Sequence, residues 1–222
     1  MDIFINTFLT LHITAGAIAL LVAPVAIAVQ KGGEAHKRWG RAFFWSMTVV
    51  FVTAIILSVY HWNLFLLMIA VFSYYSIVSA YRWLYLKKMH LGQRPKRIDW
   101  FALIIASFFN LWFVGWGIYM AIRGHYGFFA YLGIGFGIGG LLTAKGNLMK
   151  FLKNPPKNTW IYEHIGGMLG GYIATVTAFS SQVMVFLPGW VQWIWPTLVG
   201  LPIIIYWTRR YRNKLEKANV TR

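Results

Sequence analysis

No cysteine occurs anywhere in the chain. That absence removes disulfides, thiolate metal sites, cysteine nucleophiles and cysteine-ligated iron–sulfur clusters together. Any metal or haem has to hang on His, Met, carboxylate or Tyr. Acidic residues are almost as scarce, with five Asp and Glu against 21 Lys and Arg and a formal net charge of +16. Charged residues of both signs make up only 12% of the chain, half the roughly 25% of an ordinary soluble domain. Also missing are a glycine-rich phosphate loop, H-E-x-x-H, G-x-S-x-G and any nucleotide fingerprint, and with them the commonest signatures of phosphoryl-transfer, zinc-protease and serine-hydrolase chemistry. The last apolar run contains no Lys, which argues against a retinal Schiff base there. A lined aqueous pathway would need more polar residues than the apolar runs carry.

What the chain has in abundance is apolar length. Of its 222 residues 59% are hydrophobic and 18% aromatic. A helix needs about 20 apolar residues to cross the roughly 30 Å hydrocarbon core, and runs of about that length fall at 4–29, 42–60, 63–86, 100–122, 128–144, 160–182 and 190–207. The expectation is an all-α, polytopic integral membrane bundle of seven transmembrane helices, forming a single domain over 1–222. The connection His61-Trp62 is so short that the second and third runs must form a tight helical hairpin. Pro155 and Pro156 stop any helix between the fifth and sixth runs, and Pro196 and Pro202 kink the seventh. The first run lacks a charged segment and a small-residue cleavage site ahead of it, so it reads as retained rather than as a removable signal peptide.

Charge fixes an orientation. Lys31, Lys37, Arg38 and Arg41 follow run one; Arg82, Lys87, Lys88, Arg94, Lys96 and Arg97 follow run three; Lys145, Lys150, Lys153 and Lys157 follow run five. Arg209, Arg210, Arg212, Lys214, Lys217 and Arg222 follow run seven, and Arg123 alone lies on the other side. The positive-inside rule then puts the C-terminus in the cytoplasm and the N-terminus outside. Trp39, Trp83, Trp100, Trp160 and Trp207 fall at the inner boundary, and Trp62 and Trp190 at the outer one, as interfacial anchors do. Because the basic residues occupy gaps between apolar runs, they point to topology and to anionic headgroups, for instance around His90, rather than to nucleic acid.

Chemistry is carried by few residues. The run from Trp160 to Gln182 bears Glu163 and His164 near its start, and ionisable groups in such a segment are functional candidates by default. An interfacial pair solvated by headgroups is the alternative. Gly166, Gly167, Gly170 and Gly171 recur at a spacing of four, which allows close helix approach. In the fifth run, Gly133, Gly135, Gly137, Gly139 and Gly140 imply a buried, closely packed helix. His12 lies roughly 12 Å inside the first run, where an unpaired ring is expensive, so it needs a hydroxyl, a carbonyl or a metal. With His61 and His125 at the outer mouth it offers three nitrogens to a metal. On the inner side Glu34, His36, Glu163 and His164 form a second candidate set, provided runs one and six pack together; two carboxylates with two imidazoles suit zinc, iron, manganese or a proton relay. His12 and His164 are in addition the candidate haem ligands, since imidazole serves as an axial ligand of haem b.

Three elements carry a resemblance: His12 and Gly16 as H-x-x-x-G, His36 to Arg41 as H-[KR]-x-x-G-R, and His164, Met168 and Tyr172 in the sixth run. In these the chain resembles an uncharacterised family of bacterial multi-helix membrane proteins, a domain of unknown function. The likeness implies a helical bundle and marks His12, His36 and His164, but carries no activity. The family has Arg after the sixth-run His, where this chain has Gly166, Gly167 and Gly170. The functional expectation is a histidine-based haem- or metal-binding protein of the bacterial inner membrane, in electron transfer. A solute, ion or proton transporter is the second class, and an accessory subunit or homo-oligomer of a membrane complex the third. A membrane enzyme acting on lipid or quinone finds no catalytic constellation in the sequence.

Overall fold

The computed structural model describes residues 3–220, and side chains as far as residue 215; Arg222 and the side chain of Lys217 lie outside the described residues. Within them the chain is all-helical: α1 (Ile3–Ala28), α2 (Glu34–Tyr60), α3 (Leu64–Trp83), α4 (Arg97–Ile122), α5 (Phe128–Leu152), α6 (Thr159–Val183) and α7 (Gly189–Val220), with one 3₁₀ turn at Met89–Leu91. Six of the seven α-helices are long and apolar enough to cross a membrane, which makes this an integral membrane protein in contact with lipid. The exception is α6, one of the seven expected spans. Its length is sufficient, but Glu163, His164, four glycines and a polar end dilute its hydropathy. It packs against α1, α3 and α7, and a helix clothed by protein needs less apolar surface of its own.

Several helices outrun their apolar runs. Already at Glu34, α2 begins, so His36, Lys37, Arg38 and Arg41 lie in its first turns and not in a linker; Glu34 meets the positive end of the helix dipole there. In the same way α5 continues through Lys145 and Lys150 to Leu152, and α7 carries its basic residues on helix. The tight hairpin is present with one residue more than expected in its connection, His61, Trp62 and Asn63, with Trp62 in the left-handed region at φ 51 and Asn63 accepting from the Leu66 N–H at the start of α3.

Helix α3 is the centre of the bundle, touching α2, α4, α5 and α6. The partnership of α4 with α5 rests on small residues. Along α5 the buried positions besides Leu132 are Ala130, Gly133, Gly137, Gly140, Ala144, Asn147 and Phe151, alternating steps of three and four as in a left-handed helix pair. A Cβ on Gly137 would sit 2.9 Å from Asn110 O, and one on Gly140 would overlap the Asn110 amide. Gly135 and Gly139, on other faces, meet nothing within 4 Å. So three of the five glycines in this run form the close contact. The same division holds in α6, where Gly167 meets Ala80 and Ser76, Gly171 meets Ile77, and Gly166 and Gly170 have open space.

Gly140→Ala is therefore expected to force α4 and α5 apart and cost about 1–3 kcal/mol, whereas Gly139→Ala should be neutral or gain up to about 1 kcal/mol from helix propensity. Unfolding of the two variants side by side in one detergent reads the difference; equal stability would refute the close contact.

Candidate functional site

Two helix ends meet on the Lys- and Arg-rich side. The last four carbonyls of a helix have no partner within it, and at the end of α1 those carbonyls are taken up by two side chains. The Lys31 ammonium donates to Ala26 O at 3.2 Å, to Ile27 O, and to Val29 O at 3.4 Å. His36, in the first turn of α2, donates from Nδ1 to Ala26 O at 2.9 Å. Burial of the Lys31 ammonium among these groups lowers its pKa from the ordinary lysine value.

The end of α3 is treated the same way. His164, in the second turn of α6, donates from Nδ1 to Ala80 O at 3.2 Å, one of the last four carbonyls of α3. A carbonyl can only accept, so both imidazoles carry their hydrogen on Nδ1, and in the neutral ring Nε2 is then a bare lone pair. Neither Nε2 has a hydrogen-bond partner among the described residues. The two rings stand edge to face, 6.2 Å between centres and at 87°. Helices α1, α2, α3 and α6 thus deliver a matched pair of imidazoles to one place.

The two carboxylates expected beside them are elsewhere. Glu163 pairs with Lys150 of α5 at 2.9 Å, and Glu34 is exposed at the start of α2. On the far side, His61 and His125 are exposed in their loops. His12 is bonded through Nδ1 to Thr53 Oγ1 of α2 at 2.9 Å, the hydroxyl partner its depth demands. Among the described residues no three of His, Asp and Glu converge to hold a metal ion, so neither expected metal set assembles. Nor can His12 share one metal with His164. Ala26, which anchors His36, lies 14 residues beyond His12, about 21 Å along α1.

A second polar cluster, centred on α3, was not visible as a unit in the sequence. Asn147 of α5 accepts from Trp83 Nε1 at 3.1 Å and donates to Tyr75 OH and Ser79 Oγ, both at 2.9 Å. Trp83, expected as an interfacial anchor, is in fact 1% exposed. Arg82 grips Asp99 of α4 in two-pronged fashion, at 2.7 and 3.1 Å, and Asp99 also accepts the Lys96 N–H at 2.7 Å. Beside these groups lies a cavity of about 10 Å³, lined by Tyr75, Ser79, Arg82 and Asp99, room for about one water. The signal available in the sequence was spacing: Asn147 continues the Gly133, Gly137, Gly140, Ala144 stripe toward α3.

The chain matches no family model, no curated protein and no solved structure.

Replacing Asn147 by Leu would take from the Trp83 N–H and from two hydroxyls the partner they share, for an expected loss of about 1–3 kcal/mol. Thr53→Val should cost a similar about 1–3 kcal/mol by orphaning His12. Unfolding midpoints in detergent measure both; an unchanged midpoint would show water taking over the lost bond.

Proposed function

We propose that this protein holds haem iron between His36 and His164 on the cytoplasmic side of the membrane and serves in electron transfer. The observation that carries the reading is the matched pair of imidazoles, each locked by a backbone carbonyl on Nδ1 and bare on Nε2. A carbonyl behind a ligating imidazole fixes its orientation and raises its basicity. The two ring centres stand 6.2 Å apart, close enough that His36 and His164 could each offer a nitrogen to one metal at about 2.0–2.1 Å.

Donor count favours haem over a bare ion. A bare zinc takes three or four protein ligands, and among the described residues there are two imidazoles with no third His, Asp or Glu in reach. A haem would ask the protein for fewer donors, and His36 and His164 would be the residues that hold it. When bound, the group would exchange single electrons. The chain's part would be to orient the two rings, each held through Nδ1 by a backbone carbonyl.

In this reading all seven α-helices cross the bacterial inner membrane, with the N-terminus outside. α6 is included because its polar start carries the ligand. The resemblance to the uncharacterised bacterial family supports the position of His12, His36 and His164 and nothing about their chemistry. One observation favours a second reading, a scaffold subunit without cofactor: both Nδ1 groups already do useful work by capping helix ends.

His164→Asn distinguishes the two, because the amide keeps an N–H for Ala80 O and removes Nε2. Absorption spectra of the freshly purified protein, oxidised and reduced, should show a Soret band that shifts on reduction, lost in His164→Asn and in His36→Asn with folding retained. No band in the unaltered protein, expressed with ample haem, would leave the scaffold reading standing. Orientation is tested in the natural cysteine-free background. A single His125→Cys should react with an impermeant maleimide on intact cells, and Arg94→Cys only after permeabilisation; the opposite pattern would reverse the topology.

A further inference from the structure

A second feature on the basic side is independent of the histidine pair. Helices α1 and α7 both pack on α6, and between the end of α1 and the last turns of α7 opens a cleft of about 230 Å³. One wall is the backbone turn from Ile27 to Lys31. The other is a single face of α7, Trp207, Arg210, Tyr211 and Lys214, spaced three, four and seven apart. Among the described residues three cations line the cleft and no carboxylate does. The ion pairs of the described residues, Arg82 with Asp99 and Lys150 with Glu163, are both on other helices. No described residue offsets the charge in the cleft.

The three cations are not equivalent. Lys31 spends its hydrogens on the carbonyl end of α1 and lies 5.2 Å from the centre of the Trp207 ring, so it contributes fixed charge. Arg210 gives one N–H to Tyr206 OH at 3.0 Å and stacks over Trp207 at 5.3 Å, which leaves most of its five donors for an oxygen-rich anion. Lys214 is exposed and has no hydrogen bond or ion pair among the described residues. Trp and Tyr beside Arg and Lys, at the end of apolar helices, are the composition of a headgroup layer. Below the cleft the helices stay greasy and uncovered: Leu21 and Val25 on α1, and Ile203 and Val199 on α7, one and two turns before Trp207 on its face, are exposed. A free anion would use the cations alone. A lipid would use the cations and this surface.

We propose that the cleft binds the phosphate of an anionic lipid headgroup, with Arg210 and Lys214 donating to the phosphate oxygens, Lys31 holding the charge behind them, and the acyl chains lying along α1 and α7. The site resides in the same leaflet that the basic residues face, where anionic lipid draws polybasic segments.

The test uses the full chain in phosphatidylcholine nanodiscs doped with phosphatidylglycerol, with native mass spectrometry counting the lipid kept on release. The unaltered protein should retain phosphatidylglycerol over phosphatidylcholine, and Arg210→Gln with Lys214→Gln should cut that preference by about tenfold or more. Lys145→Gln with Lys153→Gln removes the same charge elsewhere and should leave it unchanged. Equal loss in both double variants would reduce the effect to net charge and overturn the site. Inorganic phosphate, titrated against protein in pure phosphatidylcholine discs, should bind far more weakly than the lipid; equal or tighter binding would make the ligand a free anion and overturn the lipid assignment. Should the first double variant fold poorly, Lys214→Gln alone, at an exposed side chain, is expected to lower retention severalfold, and full retention would count against the proposal.

Discussion

Hydrocarbon offers no hydrogen bonds, so every polar group that enters it must find a partner inside the protein. The last two turns of α3 are where this chain meets that constraint most often. From Tyr75 to Trp83 they bond Asn147 three times, hold Asp99 with a two-pronged guanidinium, and offer Ala80 O to His164. These bonds tie α4, α5 and α6 to one mast. Apolar packing between helices in lipid carries little direction, because lipid tails compete for the same surface. Bonds of fixed geometry supply the direction, and they set the angle and depth at which His164 arrives beside His36.

Small residues make the bonds reachable. Asn110 is 1% exposed, and its amide lies against Gly140, where any side chain would evict it. Its Nδ2 donates to Ala106 O of its own helix, while Oδ1 has no donor of the ordinary kind. The backbone of α5 at Gly140 is what that oxygen faces, a setting for the weaker Cα–H contact that recurs where helices touch. The imidazole pair depends on closeness too, since Gly167 and Gly171 let α6 lie against Ser76, Ala80 and Ile77, one turn from the His164 bond.

Helix number, order and most boundaries were legible because apolar length and charged gaps are local properties. The depth of His12 and its need for a hydroxyl were legible as well, since burial cost depends on position within a single run. Which residues meet was another matter. Glu34, His36, Glu163 and His164 are adjacent in pairs along the chain, yet helical geometry turns neighbours to different faces: Glu163 looks to α5 and His164 to α3. The role of Asp99 was hidden because an acidic residue at a helix start has a sufficient local explanation, the dipole and the Lys96 N–H. Its grip on Arg82 appears only once α3 and α4 are side by side. Trp83 misled for a similar reason. An aromatic residue at a span end reads as an anchor until a buried amide is found opposite it.

The three-residue connection between α2 and α3 has a consequence for biosynthesis. With only His61, Trp62 and Asn63 outside the helices, the pair has no slack to enter the bilayer one member at a time in independent directions. α2 and α3 pass through the insertion machinery as a unit, and the direction taken by α2 dictates that of α3. Since α3 is the mast to which α4, α5 and α6 are tied, the direction taken at the first hairpin commits the orientation of the finished bundle across the bilayer.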